Sequence, residues 1–173
     1  MGEPFLLQTE RLRLRRLTLA DAGLMLSIWN DPDFVRHVGD RGIRSVDEAR
    51  QALLDGAFRL YAEFGYGPYR VALREADTPI GTCGLFRREG LTEPDIGFAL
   101  LPEYCGRGYA YEAATAVLQH ARESLKLRRL TAVVSPNNDA SIRLIEKLGL
   151  SFEKRARIDG DDTDVQVYGM SLT

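Results

Sequence analysis

The sequence is short of the residues that identify many small proteins at sight. Its two cysteines, Cys83 and Cys105, cannot build a disulfide framework, and its two histidines, His37 and His120, are far apart. No metal-like ligand cluster is therefore expected, and the thiols read as reduced, in a bacterial-type cytoplasm. An excess of positive charge is also missing. With 23 Lys and Arg against 25 Asp and Glu, the formal net charge is −2. That removes the global basic field of a nucleic-acid binder, although basic residues cluster in Arg11 to Arg16 and in Lys126 to Arg129. No apolar run could span a bilayer, so no membrane partner is expected. The start MGEPFLLQTE lacks a basic, then apolar, leader, and Leu6 stands where a myristoylation signal after Gly2 wants Ser or Thr. Repeats, low-complexity tracts and linkers are absent, so residues 1–173 are expected to form one domain, as a monomer or homodimer.

Periodicity supplies the elements. Thr9 to Thr18 alternates leucines with arginines and predicts a half-buried strand. Leu19 to Asn30 carries Ala22, Met25, Leu26 and Trp29 at helical spacing, with Thr18 and Asp21 as a start signal. Asn30 to Gly42 reads as loop. Ser45 and Glu48 fit a capping box, after which Val46 to Phe64 continues as one helical stripe. Pro68 to Glu75 and Ile80 to Glu89 predict a hairpin, and Asp95 to Leu101 a further strand. Ala110, Ala113, Ala114, Val117, Leu118 and Ala121 mark a helix whose small-residue face can lie close to a sheet. A buried strand (Arg128 to Pro136), a short helix (Asn138 to Gly149) and a closing hairpin around the acidic turn Asp159, Asp161, Asp162 and Asp164 complete the chain. The class is α/β of the α+β type, without the strict alternation of a doubly wound sheet.

The chemistry lies in PEYCGRGYAYEA, Pro102 to Ala113. Gly106 and Gly108 can take positive φ and keep side chains out of the way. The N–H groups from Gly106 to Ala110 would then stand free at a helix N-terminus, with Arg107 adding charge, which suits a pyrophosphate. A structural turn remains the alternative. A phosphate-cradling Walker loop is excluded because no Gly-Lys-Ser/Thr follows. A dinucleotide fingerprint is excluded because Tyr111 holds the third glycine position. A second patch, SPNNDASIRLIEKLGL, places Asn138 and Ser141 at a helix start, where both could also serve as local caps.

In that fixed order, DIGFALLPEYCGRGYAYEA and SPNNDASIRLIEKLGLSFE, preceded by TERLRLRRLTLADA, resemble the GNAT superfamily of N-acetyltransferases, in particular its RimJ/RimL-like branch. The resemblance covers nearly the whole chain. It implies a mixed, mostly antiparallel sheet that splays between its fourth and fifth strands, flanked by about four helices. It implies acetyl-CoA as co-substrate, with pantetheine entering the gap and pyrophosphate on the amides of Gly106, Arg107, Gly108, Tyr109 and Ala110. Asn138 would contact the pantetheine end and Ser141 would face the sulfur. A backbone N–H near Phe98, Ala99 and Leu100 would polarise the thioester carbonyl. Two positions depart from the pattern: Cys105 stands in the loop, and Ile145 replaces the tyrosine many relatives use as general acid. Ser141 is then the candidate to hydrogen-bond the developing thiolate.

The implied reaction is attack by a neutral primary amine, of a small molecule or a protein N-terminus. Asp95 is the first candidate to take its proton, with Glu93 or a water as alternatives. The acceptor side is expected between Asn30 to Gly42 and Ala62 to Tyr69, with Trp29, Phe34, Arg36, His37, Tyr66 and Tyr69 as candidates; most of the aromatics could equally be core. An acylated Cys105 lacks a neighbouring activator. Another acyl-CoA such as succinyl-CoA, or a CoA-binding sensor without turnover, are the rival readings.

Overall fold

The alternating leucines and valines assemble into one eight-stranded sheet in the computed structural model, which describes residues 6–157 and 163–173. The strands are β1 (Leu7–Gln8), β2 (Leu12–Arg16), β3 (Pro68–Leu73), β4 (Pro79–Phe86), β5 (Asp95–Leu100), β6 (Arg129–Val134), β7 (Ser151–Ala156) and β8 (Val165–Ser171). The helices are α1 (Ala22–Trp29), α2 (Pro32–His37), α3 (Val46–Asp55), α4 (Ala57–Phe64), α5 (Tyr109–Glu123) and α6 (Asp139–Leu148). Spatial order is β1-β2-β3-β4-β5-β6-β8-β7, and only the β5–β6 neighbours run parallel. Gly2 and three carboxylates of the acidic turn, Asp159, Asp161 and Asp162, lie outside the described residues.

Local chemistry explains where the elements differ from the periodicity. Thr9 to Thr18 is a turn and a strand rather than one strand, because the Thr9 N–H donates to the Leu12 carbonyl at 2.9 Å and folds β1 back on β2. The stripe Val46 to Phe64 breaks at Gly56, whose backbone (φ −111°, ψ −88°) leaves the helical region, giving α3 and α4. Within Asn30 to Gly42 the extended Asp31 accepts from the Phe34 N–H and Pro32 takes the first helical position, so a short helix, α2, forms there. Asp21 receives the Thr18 N–H at 2.8 Å and two Arg15 contacts at 2.8 and 3.0 Å, tying the start of α1 to β2.

β3 and β4 are buried along almost their whole length, because helices cover both faces of the sheet. α5 packs on β1, β2, β4 and β5, while α1 packs on α3 and β4. The small-residue stripe of α5 is as expected: Ala113, Ala114, Val117 and Ala121 are fully buried. Such a face lets the helix axis approach the strands, and a larger side chain there would overpack by about 1–3 kcal/mol. No helix among the described residues is long and apolar enough to cross a membrane.

Candidate active site

The site begins where two strands part. β5 and β6 share a single pairing, Asp95 opposite Thr131. There the Thr131 N–H and hydroxyl both donate to the Pro94 carbonyl, at 3.0 and 3.1 Å. Beyond it β6 turns to β8, and β5 keeps only β4. The β4–β5 register fixes which β5 amides are spent. Leu101 N–H bonds to the Ile80 carbonyl at 2.8 Å, so Ala99 and Gly97, two and four residues earlier, also point at β4. Phe98 and Leu100 therefore aim their N–H and C=O groups into the gap.

The gap leads to the glycine loop. A 3₁₀ turn at Pro102–Tyr104 follows β5, then Gly106 (φ +77°) and Gly108 (φ +83°) reverse the chain into α5. A side chain is disfavoured at both by the backbone alone, and a Cβ built on Gly106 would meet nothing within 4 Å, leaving its surroundings open to a ligand. Among the described residues no backbone carbonyl accepts from the N–H groups of Gly106 to Tyr111; the first to bond is Glu112, to Gly108. Those donors and the positive end of a 15-residue helix form an anion cradle. From below, Arg11 braces the loop. It donates to the Arg107 carbonyl at 3.1 Å, stacks over the Tyr109 ring at 4.3 Å and pairs with Glu112 at 2.7 Å.

A cavity of about 490 Å³ opens beside the gap, between α1–α4, the sheet and α6. Trp29, Phe34, His37, Phe98, Ala99, Asn138 and Ser141 all line it, so the structure gathers these residues from α1, α2, β5 and the start of α6. Asn138 caps α6 by accepting the Ser141 N–H at 3.3 Å, and the same cap turns both side chains toward the cavity wall. One helical turn on, Ile145 lines the same wall and is 2% exposed. The only hydroxyl that α6 brings to this wall is thus Ser141.

Other expected residues are elsewhere. Tyr69 pairs with Cys83, and strand alternation puts both on the α5 face, where His120 meets the Tyr69 ring edge-on. Burial pushes its phenol up to about 12. Tyr66 is buried against Phe64. Arg36 points out and pairs with Asp33. Leu100 and the loop from Gly106 to Ala110 lie beyond the cavity, at the far end of the gap. Asp95 is 1% exposed and sits behind the wall, 2.8 Å from Arg88, which does line it. Glu93 stands near Arg129, at 3.7 Å. Cys105 is exposed but also outside the cavity. Burial and then the charges of Asp31, Asp33 and Glu103 raise its thiol, the opposite of nucleophile activation.

Among the cavity residues that sequence reasoning missed are its two arginines, Arg41 and Arg88. Arg41 stacks over Trp29 at 4.7 Å from the ring centroid. Its guanidinium is held below the ordinary arginine range by burial and by the nearby charge of Arg88. Neither carries a local motif; a hairpin brings Arg88 beside Asp95, and the loop after α2 brings Arg41 to Trp29.

This geometry suits an acyl-CoA: an exposed strand edge for the pantetheine amides, a cradle for pyrophosphate, and an apolar cavity at the thioester end. Comparisons with known proteins agree. The acetyltransferase (GNAT) domain family matches residues 11–151. A Bacillus licheniformis protein named uncharacterized N-acetyltransferase p20 is 33% identical over 151 residues, spanning 86% of this chain and 82% of its own. The crystal structure of an acetyltransferase from Agrobacterium tumefaciens superposes with a TM-score of 0.81 at 30% identity, over 98% of this chain and 95% of that one. RimL, a ribosomal L7/L12 α-N-protein acetyltransferase in complex with coenzyme A, reaches 0.81 at 18% identity over 97% and 98%, a likeness of fold alone.

Proposed function

Since the chain belongs to the GNAT acetyltransferase family, we propose that it moves an acetyl group from acetyl-CoA to a primary amine by direct attack, as an N-acetyltransferase. The observation that carries this reading is the unpaired β5 edge, running from the cavity to the free amides of Gly106 to Tyr111. Acetyl-CoA supplies an activated thioester, which an amine converts to an amide and a free thiol.

The chain's own residues supply the rest. Gly106, Arg107, Gly108, Tyr109 and Ala110 hold the pyrophosphate through backbone N–H groups. Phe98 and Leu100 offer strand-like hydrogen bonds, and the Phe98 N–H polarises the carbonyl that reacts. Ser141 donates its hydroxyl hydrogen to the leaving sulfur, and Asn138 orients the pantetheine end while it caps α6. Asp95 works by holding Arg88 rather than by touching the amine, so the amine's proton passes to solvent or to His37 at the wall. Trp29 and Phe34 exclude water around the amine, where a neutral nucleophile survives longest. The RimJ/RimL-like assignment is kept for the Asn138 and Ser141 pattern, with Ile145 in the place of a phenol.

The test is thiol release from acetyl-CoA, and from succinyl-CoA in parallel, over a panel of amines that includes peptide N-termini and polyamines. Amine-dependent release with acetyl-CoA at the higher kcat/KM supports the reading. A preference for succinyl-CoA, or tight CoA binding with no release on any amine, contradicts it.

A further inference from the structure

The opening motif of the chain, Thr9 to Thr18, has no part in the reaction described above, yet its turn reaches the glycine loop. The Arg11 guanidinium is committed on three sides. Nε pairs with Glu112 Oε1 at 2.7 Å, Nη1 donates to the Arg107 carbonyl at 3.1 Å, and the plane rests on the Tyr109 ring, 4.3 Å from its centroid. Glu112 is held in turn by the Arg11 backbone N–H at 2.9 Å and by the Thr9 hydroxyl, which itself accepts the Leu12 N–H at 3.0 Å. The β1–β2 turn is thus fastened to the first turn of α5. Ion pairs this open to solvent add little to stability, and the Arg11 side chain is 42% exposed. The consequence of the arrangement lies in what it orients.

It orients one peptide. A trans peptide sets its C=O and N–H in opposite directions. With the Arg107 carbonyl drawn to Arg11, the Gly108 N–H points the other way, among the free amides of the cradle. Gly106 and Gly108, at φ +77° and +83°, flank a peptide that could turn over at little steric cost. Turned over, it would present a carbonyl oxygen to an anion. Glu112 is a second hazard. It stands in the first turn of α5, where a carboxylate is attracted by the helix's own N–H groups. Bound to Arg11 and Thr9, it is kept from competing with a pyrophosphate for them.

Resting on the pyrophosphate cradle of the acetyl-transfer reading, we propose that Arg11 is a positioning residue for the donor: it holds the Arg107–Gly108 peptide with its N–H toward the pyrophosphate and keeps the Glu112 carboxylate out of the cradle. The task needs two donors fixed in one plane, one for the carboxylate and one for the carbonyl. A guanidinium supplies them, whereas a lysine ammonium is a single point on a flexible stem. Arg11 acts through the backbone and without touching the donor. An asymmetry between the two partners follows. Loss of Arg11 frees both the peptide and the carboxylate, while loss of the Glu112 charge leaves the carbonyl contact in place.

The test titrates the full chain with CoA in a calorimeter, so that no acceptor is needed, and follows thermal melting of each variant in parallel. Arg11→Gln should weaken CoA binding about tenfold or more, the scale of one lost charge-assisted hydrogen bond, and Glu112→Gln by less than about threefold. The double variant Arg11→Gln/Glu112→Gln should bind CoA more tightly than Arg11→Gln alone, because the competing carboxylate is gone. Arg11→Lys keeps the charge without the two-donor plane, so it too should lose affinity. In unliganded Arg11→Gln the Gly108 amide resonance should broaden or double as the peptide samples both orientations. A smaller loss in Arg11→Gln, or full affinity in Arg11→Lys, overturns the proposal and leaves donor binding standing. Equal losses in Arg11→Gln and Glu112→Gln, as a merely structural ion pair would give, overturn it as well. No CoA binding by the unaltered chain overturns both.

Discussion

Thr131 clasps Pro94: its N–H at 3.0 Å and its hydroxyl at 3.1 Å converge on one carbonyl, at the last point where β5 and β6 touch. The gap that widens beyond this clasp is where donor binding is proposed. Replacing the hydroxyl by a methyl group in Thr131→Val should cost about 1 kcal/mol, the net worth of one hydrogen bond, and should leave the backbone bond in place. Chemical denaturation would read the loss as a lower midpoint with an unchanged slope.

Gly108→Asp tests the cradle. The position has φ +83°, and a Cβ there would stand 3.3 Å from Arg11 Nη2, so both strain and a misplaced carboxylate follow. CoA affinity should fall at least a hundredfold by calorimetry. Gly108→Ala, which adds strain without charge, should lose much less. Equal losses in the two variants would show that the cradle does not bind an anion.

Ser141→Ala removes a hydroxyl while keeping the N–H that Asn138 caps. The helix should persist, and kcat should drop roughly 10²-fold, the scale of one lost transition-state donor, with CoA affinity little changed. An unchanged kcat would refute the thiolate role.

Asp95→Asn separates a positioning residue from a base. Loss of a charged hydrogen bond to Arg88 should destabilise the fold by about 2 kcal/mol. KM for the acceptor should rise more than kcat falls, and the acid limb of the pH–rate profile should survive, because amine protonation sets it. Disappearance of that limb would restore Asp95 as the proton acceptor.

Cys105 provides a pH test. Its thiol is raised, so the thiolate appears only above the ordinary cysteine range, and alkylation should stay slow until pH climbs past it. Cys105→Ser should keep kcat within twofold. A large loss would revive an acylated-thiol route.

Much of this site could be read in the chain before its fold was known. Gly106 and Gly108 were legible because positive φ has few other hosts, and Asn138 because a cap has a signature. The small residues of α5 were legible because their spacing is local. Tyr66 and Tyr69 were not: aromatics beside a cavity and aromatics in a core carry the same letters, and only strand alternation put Tyr69 under α5. Arg41 and Arg88 had no local signal, since their meaning comes from Trp29 and Asp95 meeting them across the fold. Gly56 shows the limit of periodicity, because a stripe of apolar residues continues across a break in the backbone.

The most direct measurement is amide hydrogen exchange resolved by residue, with and without saturating CoA. Phe98, Leu100 and the amides from Gly106 to Tyr111 should slow on binding. Gly97 and Ala99, already bonded to β4, should not change. Protection that skips Phe98 and Leu100, or spreads evenly along β5, would contradict a donor seated in the gap.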